Sequence, residues 1–369
     1  MKKHYIWQKR EWPHLTWNSE ELLSKLSQVR KLQGRLLATA SSLGLDAQAR
    51  VFIDEAVTTS AIEGEKLDRN SVRSSVARRL GLPSAGLTTQ QREIDGLVDT
   101  LLDATRGWDK ELTSQRLKGW QASLFPLGYS GIYKIAVGKW RQGDEPMQVV
   151  SGRERNVTIH YEAPPSEAVS DEMKKFFVWW RSSENKIDGL LRAGVAHFYF
   201  VTIHPFDDGN GRIARALTDM ALAQDEKLGI RLYSLSSQIL RKRDEYYEIL
   251  EACQKGSCDI TVWLKWFLGV LADAILSCQV TIQKTLMISQ FWQACSALDL
   301  NPRQRKVLQR LLDAEPEGFE GGMTNKKYVS LTKTSRETAK RDLADLETKG
   351  LIQRNSGLGR SISYSLVRT

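Results

Sequence analysis

A twelve-residue break between two apolar segments, HPFDDGNGRIAR at 204–215, constrains this chain more than any other stretch. The segments on either side, GVAHFYFVTI and ALTDMALA, have the composition of buried helices. Pro205 lacks an N–H, so it is expected to end the first helix and to bias His204 towards an extended backbone. The glycine-rich piece at 209–211 then turns the chain, and Arg212 opens the second helix. The sequence therefore predicts a loop of unusual backbone freedom between two core helices.

The composition of this break is typical of an anion-binding site. Gly209, Asn210 and Gly211 can point their backbone amides into one concavity, and a helix N-terminus favours negative charge. Arg212 and Arg215 are three residues apart, so both guanidinium groups lie on one helical face. Together these groups predict a polyphosphate site. The neighbouring carboxylates suit a Mg²⁺ ion that bridges phosphate oxygens.

His204 adds a group that a binding site alone does not need. An imidazole titrates near neutrality without much tuning, so it can take a proton from an attacking hydroxyl. The alternative is a structural histidine in a helix-capping loop beside two surface arginines. Each residue alone is more often of that kind, whereas the set of twelve together favours a site. His197, seven residues earlier in the apolar segment, is interpreted as a core histidine.

The break matches every defined position of the signature HPFx[D/E]GNGRxxR, and on these residues the chain resembles the Fic family. These are enzymes that transfer AMP from ATP to a hydroxyl side chain of a protein. The resemblance extends over about residues 50–275 and implies a mainly α fold, a helical bundle with an inserted β-hairpin flap. It implies that His204 is the general base and that Asp208 binds Mg²⁺. Asp207 falls on the variable position of the signature and receives no role.

The resemblance also implies an ATP site. The loop cradles the phosphates, and the two arginines hold the β- and γ-phosphates. DEYYEILEACQKG (244–256) is similar to the segment that holds adenine, and Gln254 stands where relatives often have Asn, which leaves its role open. The implied nucleotide-binding residues are Gly209, Asn210, Gly211, Arg212, Ile213, Ala214, Arg215 and Tyr247.

A second motif, TTSAIEGEK at 58–66, indicates a built-in inhibitor. Thr59 and Glu63 are four residues apart on one helix face, and Gly64 is a natural stop. A Glu in the last turn faces the negative end of the helix dipole and gains from a cation brought by the fold. The alternative is a solvated Glu. The motif resembles the family's inhibitory pattern [S/T]xxxE[G/N], which implies that Glu63 pairs with Arg215 and withdraws it from the γ-phosphate. In some relatives the same Glu orients water for AMP removal.

The remaining middle of the chain contains one β-rich stretch, 138–165, with the pieces MQVV and NVTIHY. It is similar to the family's flap, which aligns the target's hydroxyl segment by adding a strand at the 157–161 edge. A purely structural hairpin is the alternative. We expect three domains: an N-terminal arm module (1–45), a catalytic domain (46–285, inhibitory helix at about 50–64) and a C-terminal module (300–369). Tryptophans at 7, 12 and 17 either dock the arm or are scattered core aromatics.

The C-terminal module has the charge of a nucleic-acid-binding domain. From residue 301 onwards there are 14 Lys and Arg against 8 Asp and Glu, a net +6 of the chain's total of +9. Three helices followed by two strands predict a winged helix-turn-helix. Basic residues on its recognition helix and wing suit phosphate contact, although such modules also mediate protein contacts or dimerisation. These residues are Arg336, Lys340, Arg341, Arg354 and Arg360.

The composition indicates a soluble protein and argues against a membrane protein or a zinc protein. Hydrophobic residues make up 41% and charged residues 26%, as in soluble globular proteins. The sequence contains no uninterrupted apolar run of about 20 residues, the length that a membrane-spanning helix needs. We therefore expect no membrane span. Four scattered cysteines without a CxxC pair predict a reduced, cytoplasmic protein without a zinc site.

Two hypotheses follow, and the oligomeric state stays open, a homodimer included. The first is an autoinhibited protein adenylyltransferase that uses ATP and Mg²⁺ to modify a Ser, Thr or Tyr of an unknown protein and of itself. The second is a DNA-binding regulator whose core only senses ATP. Transfer of another phosphate-containing group is disfavoured, because both arginines fit a triphosphate.

Overall fold

The computed structural model describes residues 5–39, 44–82, 90–152, 157–315, 318–355 and 362–367. Within these ranges the protein is mainly helical, as the sequence predicts, with three two-stranded antiparallel sheets. It divides into two compact units, Met1–Cys278 and Gln279–Thr369. The helices of the first unit are α1 (Ser19–Thr39), α2 (Leu45–Ile62), α3 (Arg69–Leu80), α4 (Arg92–Arg106), α5 (Ser114–Leu124), α6 (Ser166–Ser183), α7 (Gly189–Ile203), α8 (Asn210–Glu226), α9 (Leu235–Arg241) and α10 (Arg243–Gln254). A further helix, α11 (Thr261–Ala294), begins in the first unit and ends in the second.

The N-terminal arm docks its tryptophan rings on the first unit. Trp7 donates its indole N–H to the carbonyl of Glu162 at 2.8 Å. Trp12 donates to the carboxylate of Glu172 at 2.7 Å and packs edge-on against Tyr199. The docked-arm interpretation is therefore confirmed for these two residues.

Helices α7 and α8 form the centre of the first unit. Every residue of α7 after Gly189 is buried, because its apolar residues cover the whole circumference of the helix. His197 lies in this core, with Nδ1 3.0 Å from the hydroxyl of Thr218 and Nε2 2.8 Å from that of Tyr246. Burial lowers the pKa of His197 to about 3, so it is a neutral core histidine, as predicted.

The predicted flap is a hairpin of β3 (Gln148–Ser151) and β4 (Thr158–Glu162). Tyr161 turns inward and donates its hydroxyl to the carbonyl of Thr202 at 2.6 Å, which fixes one face of the hairpin on α7. The first residue of the predicted piece NVTIHY lies outside the described residues. A shorter hairpin, β1 (Tyr129–Ser130) with β2 (Tyr133–Lys134), precedes the flap and was not predicted.

In the second unit three helices follow the end of α11 and lead into a strand pair. They are α12 (Pro302–Asp313), α13 (Asn325–Thr332) and α14 (Arg336–Thr348), with β5 (Ile352–Arg354) antiparallel to β6 (Tyr364–Leu366). Ser335 caps α14 by accepting the N–H of Thr338. The buried carboxylate of Asp342 accepts hydrogen bonds from Arg303 and Tyr328, which joins the three helices.

One helix of the described ranges, α11, is long and apolar enough to cross a membrane by length and composition. Of its apolar window, 61% is buried inside the protein, and the core helix of a soluble protein meets the same criteria. No such segment was predicted from the sequence, since Lys265 and Asp273 interrupt the most apolar stretch.

Candidate active site

The loop between α7 and α8 begins with an unusual backbone conformation at His204. Helix α7 ends at Ile203, as Pro205 predicts, but His204 is left-handed, with φ 52° and ψ 59°. The expectation of an extended His204 is therefore wrong. The left-handed cap allows the N–H of His204 to bond the carbonyl of Phe200 at 3.0 Å, which an extended residue would leave unpaired.

Asn210 closes the rest of the loop. Its side chain accepts the N–H of Phe206 at 3.0 Å and donates to the carbonyl of the same residue at 2.8 Å. Phe206 is fully buried beside Trp140, so it anchors the loop in the core. Helix α8 begins at Asn210, two residues earlier than predicted, with Gly209 as its cap at φ 89°. Asn210 thus shapes the loop, and its side-chain groups are already used.

The tautomer of His204 follows from its single backbone contact. Nδ1 lies 3.2 Å from the carbonyl oxygen of Val201, and a carbonyl can only accept a hydrogen bond. Nδ1 therefore carries the proton, and the lone pair is on Nε2, the atom that would act as base. The side chain keeps part of its surface exposed.

Burial, together with the charge of Arg141, lowers the pKa of His204 to about 4, against the opposing effects of the Val201 carbonyl, Glu63 and Asp208. The expectation of a histidine titrating near neutrality is corrected. The imidazole is instead neutral across the physiological range, so it is always in the form that can accept a proton.

Arg141 is a structural residue that the sequence analysis missed. It is buried, and its Nε donates to the carbonyl of His204 at 2.8 Å. A second nitrogen donates to the carbonyl of Pro164, at the end of the flap, and the backbone N–H bonds the carbonyl of Pro205. Arg141 therefore joins the flap to the histidine loop. An Arg in the segment GKWRQGD carries no local signal for this role.

The second arginine of the loop is held by the 58–66 segment. Arg215 has a side chain that is only 1% exposed. Its Nε donates to the hydroxyl of Thr59 at 2.6 Å, and another nitrogen donates to Glu63 at 2.7 Å. The pairing of Glu63 with Arg215 that the resemblance implies is present. The remaining nitrogen of Arg215 is buried without a hydrogen-bond partner.

Arg212 is held in the same way by a residue that the sequence analysis did not single out. One of its terminal nitrogens donates to Glu65 at 2.8 Å, and its guanidinium lies over the ring of Phe125. The Nε of Arg212 is buried without a partner. Burial raises the pKa of Glu65, and the charge of Arg212 opposes that shift. The pattern E-G-E at 63–65 carried this signal, but only the first carboxylate belongs to the motif.

Gly211 is required for space. It is helical, and a Cβ added there would lie 2.1 Å from Oε1 of Glu63 and 3.2 Å from a nitrogen of Arg215. The positive φ that was expected across the glycine-rich piece is confined to Gly209. A carboxylate therefore lies against the start of α8, at the position where the sequence predicts phosphate.

Two predicted binding residues offer no free polar group. Ile213 and Ala214 are fully buried in α8, and the N–H of Ile213 bonds the carbonyl of Gly209 at 3.0 Å. Their contribution is the packing of the helix, because both side chains are apolar and fully buried.

Asp208 is the carboxylate best placed for a metal ion. Its side chain is 40% exposed and lies 4.0 Å from Arg212, and it accepts the hydroxyl of Ser130. No group of three or more His, Cys, Asp or Glu side chains that could hold a metal is present among the residues that the structure describes. A single open carboxylate fits Mg²⁺ that keeps several waters and is held mainly by the phosphates of its ligand.

The predicted adenine segment lies close to the inhibitory motif. The hydroxyl of Tyr247 is 3.4 Å from the carbonyl of Ile62, and Arg243 donates to the same carbonyl at 2.8 Å. Gln254 is buried and donates to the hydroxyl of Thr202 at 3.3 Å, so it packs on α7. Helix α10 thus contacts the last residue of α2, immediately before Glu63.

The tautomer and titration of His204 can be measured directly. In a long-range ¹H–¹⁵N correlation spectrum at pH 7, we expect His204 to be neutral with its proton on Nδ1. Its titration midpoint should lie near pH 4, below the ordinary value of about 6.5. His204→Ala assigns the signal. A midpoint above pH 6 would contradict the burial that the structure gives this imidazole.

Comparison with known proteins relates two segments of the chain to known families. Residues 111–222 match the model of the Fic/DOC family, and residues 5–82 match a domain of unknown function, DUF4172. A uridine 5'-monophosphate transferase of Xanthomonas campestris is 29% identical over 134 residues, 32% of this chain and 25% of the relative. The protein adenylyltransferase Fic of Nematostella vectensis is 24% identical over 253 residues, 67% of this chain and 53% of the relative.

The chain thus spans between a quarter and about half of the length of these two relatives. A solved Fic family protein of Desulfovibrio desulfuricans shares the fold, with a TM-score of 0.56 over 96% of this chain and 98% of that one, at 18% identity. The signature loop at 204–215 lies inside the matched segment. Residues 111–222 of this chain, which include the signature loop, are therefore similar to the Fic/DOC family.

Proposed function

We propose that this protein is an autoinhibited protein adenylyltransferase, which transfers AMP from ATP to a Ser, Thr or Tyr hydroxyl of a protein. The observation that carries the proposal is the Glu63 carboxylate, which lies against Gly211 and is bound by Arg215 at 2.7 Å. An anion already lies where two arginines and a helix N-terminus converge. That is the arrangement expected of a phosphate site with a removable internal ligand.

The chemistry starts from the neutral imidazole. Nε2 of His204 takes the proton of the target hydroxyl as its oxygen bonds to the α-phosphorus. The bond between the α-phosphorus and the bridging oxygen breaks, and pyrophosphate leaves with the electron pair. The AMP group is then esterified to the protein. The proton held on Nδ1 and the contact to Val201 keep the ring in the orientation that presents Nε2.

The arginines and Asp208 position the triphosphate. Arg212 and Arg215, freed from their carboxylates, hold the β- and γ-phosphates and stabilise charge as it moves to the leaving group. Asp208 would hold Mg²⁺, which supplies charge neutralisation between phosphate oxygens when it is bound. One nitrogen of each arginine is buried without a hydrogen-bond partner, so it can donate to these oxygens. Tyr247 is then available to the adenine ring.

The inhibitory element acts through both arginines. Glu63 engages Arg215 and Glu65 engages Arg212, so the two cations that a triphosphate needs are both paired within the chain. The two contacts differ in exposure, because the side chain of Glu63 is 30% exposed and that of Glu65 is 45% exposed. Glu63 is therefore the stronger inhibitor, and Glu65 adds a weaker, more solvated contact. AMP removal by the same site remains part of the proposal.

Glu63→Gly is expected to raise AMP transfer by several-fold or more, because Arg215 is then free for the γ-phosphate. The measurement is auto-modification with α-labelled ATP, followed by mass spectrometry of the modified peptide. The same protein incubated with α-labelled UTP tests uridylyl transfer, the activity named for the Xanthomonas relative.

His204→Ala in the Glu63→Gly background provides the control, and it should abolish transfer while ATP still binds. Equal activity of Glu63→Gly and the parent would refute the inhibition. Labelling by UTP but not by ATP would refute the choice of nucleotide. If ATP binds but neither the parent nor Glu63→Gly transfers AMP, the core only senses ATP.

Glu65→Gln tests the second contact separately. A solvated ion pair is worth up to about 1 kcal/mol, or roughly fivefold in a binding constant. We therefore expect ATP to bind the variant up to about fivefold more tightly, as measured by isothermal titration. The turnover number should stay at the level of the parent, since Glu63 still holds Arg215. Arg69, paired with Asp54 on an exposed surface, gives the control variant Arg69→Gln, which should leave ATP binding unchanged.

The target protein is proposed to dock as an additional strand. Tyr161 and His160 fix the flap on α7 and α10, the latter through a 2.5 Å contact to Glu251. A rigid hairpin next to His204 can position an extended peptide through main-chain hydrogen bonds.

The structure describes four free cysteines, which agrees with the proposal of a reducing, cytoplasmic environment.

We also propose a winged-helix role for the second unit, with DNA as its partner. The observation is a separation of charge on and around α14. Two carboxylates of α14 already form ion pairs within the protein. Asp342 pairs with Arg303, and Asp345 pairs with Lys349. Glu337 is the exposed exception. The exposed cations are Lys333, Arg336, Lys340 and Arg341. Arg354 pairs with Glu347, and Arg360 lies outside the described residues.

Duplex binding by the full chain is measured by fluorescence anisotropy over a range of salt concentrations. The triple variant Arg336→Gln, Lys340→Gln, Arg341→Gln should bind more weakly. Its dependence on salt should fall by roughly one unit of slope for each lost phosphate contact. Lys174→Gln with Arg181→Gln, on α6, is the control. Duplex binding that the triple variant retains in full would exclude this face.

A further inference from the structure

The short hairpin β1–β2 and the residues before it form an exposed apolar surface beside the catalytic loop. Thirteen large hydrophobic residues are exposed among those that the structure describes, and four of them lie between 127 and 133. These are Leu127 (63% exposed), Tyr129 (53%), Ile132 (85%) and Tyr133 (73%). The others are more widely spaced along the chain, the densest group being Leu276, Val280 and Leu286 on α11. A concentration of this kind is typical of a surface that a protein partner covers.

This apolar hairpin, defined as residues 127–134, is joined to the signature loop at two places. The hydroxyl of Ser130 donates to Asp208, the carboxylate proposed for the metal ion. Just after the hairpin, the N–H of Ala136 donates to Asp207 at 2.8 Å. Asp207 stands at the variable position of the signature, where the sequence gave it no role. Both carboxylates thus fix the exposed surface to the edge of the site.

The backbone makes this surface firm enough to act as a platform. Gly128 and Gly131 have positive φ, of 79° and 56°, which only glycine adopts at low cost. The N–H of Ile135 bonds the carbonyl of Gly128 at 3.1 Å and closes the base of the hairpin. The turn therefore holds Ile132 and Tyr133 outward. A hairpin that were merely part of the core would turn these residues inward.

We propose that the apolar hairpin is a docking surface for the protein that receives AMP, and that it binds apolar side chains near the modified hydroxyl. The inference rests on the proposed function. Its occupant follows from position, since Ser130 of the hairpin bonds Asp208, four residues after His204 in the loop that carries the base. The flap aligns a strand through main-chain bonds, which do not distinguish side chains. The apolar hairpin adds the side-chain selection that the flap lacks.

The test uses the full chain in the Glu63→Gly background, with Ile132→Ser and Tyr133→Ser combined. The probe is α-labelled ATP added to an extract of the cells in which the protein is made. We expect labelling of other proteins to fall by about tenfold or more, the effect of losing a central interface contact. ATP affinity and the melting temperature should stay at their values in the background protein. The matched control combines Leu23→Ser and Val178→Ser, two exposed apolar residues on α1 and α6.

The outcomes separate the inference from the function on which it rests. If the hairpin variant labels other proteins as well as the control does, the docking surface is refuted. If only auto-modification falls, the occupant is a second copy of this chain and the inference is equally refuted. If the background protein labels itself but no other protein, no partner is docked there. If it transfers no AMP at all, the proposed function itself fails.

Discussion

A buried guanidinium needs an anion, and the arrangement of the first unit follows from this need at Arg215. The side chain is almost completely enclosed, and transfer of an unpaired charge from water into such an environment costs several kcal/mol. The helix that carries it cannot be buried against α7 unless a partner comes with it. Thr59 of α2 and Glu63, the residue after that helix, supply the partner through a hydroxyl, a carbonyl and a carboxylate. The fold is therefore completed by the same contact that we propose as the inhibitor.

The surroundings of the loop also set the properties of the base. Burial disfavours the charged imidazole of His204 and lowers its pKa, and the positive charge of Arg141 acts in the same direction. The result is a neutral imidazole with a fixed tautomer. A base with so low a pKa is weak, so a site of this kind relies more on the position of the hydroxyl and on charge stabilisation at the phosphates than on proton affinity.

Much of this could be predicted from the sequence because it depends on local chemistry. The end of α7 follows from Pro205, and the pairing of Glu63 with Arg215 follows from the inhibitory motif. The left-handed His204 could not be predicted, because the hydrogen bond to Phe200 outweighs the usual preference before proline. The role of Arg141 could not be predicted for another reason.

Arg141 bonds carbonyl groups, and every residue has a carbonyl, so no pattern in the sequence marks its partners. Glu65 was missed because the inhibitory motif ends one residue before it. The apolar hairpin was not predicted because each of its strands has two residues, which is too short to show an alternating pattern. What the sequence lacks in each case is the identity of the distant atom that meets the side chain.

The inhibitor works by exchange, and this determines how it can be released. Removing Glu63 from Arg215 without a replacement would leave a buried charge unpaired, so the open state is costly while no nucleotide is present. A triphosphate that brings its own negative charge removes most of that cost, since Arg215 and Arg212 only change partners. The nucleotide and the carboxylates at 63 and 65 therefore compete for one set of donors, and each shifts the balance only by its difference in affinity for the two states. Because Glu63 follows directly on the end of α2, where Arg243 and Tyr247 hold the carbonyl of Ile62, a contact that moves α10 would also move the inhibitor.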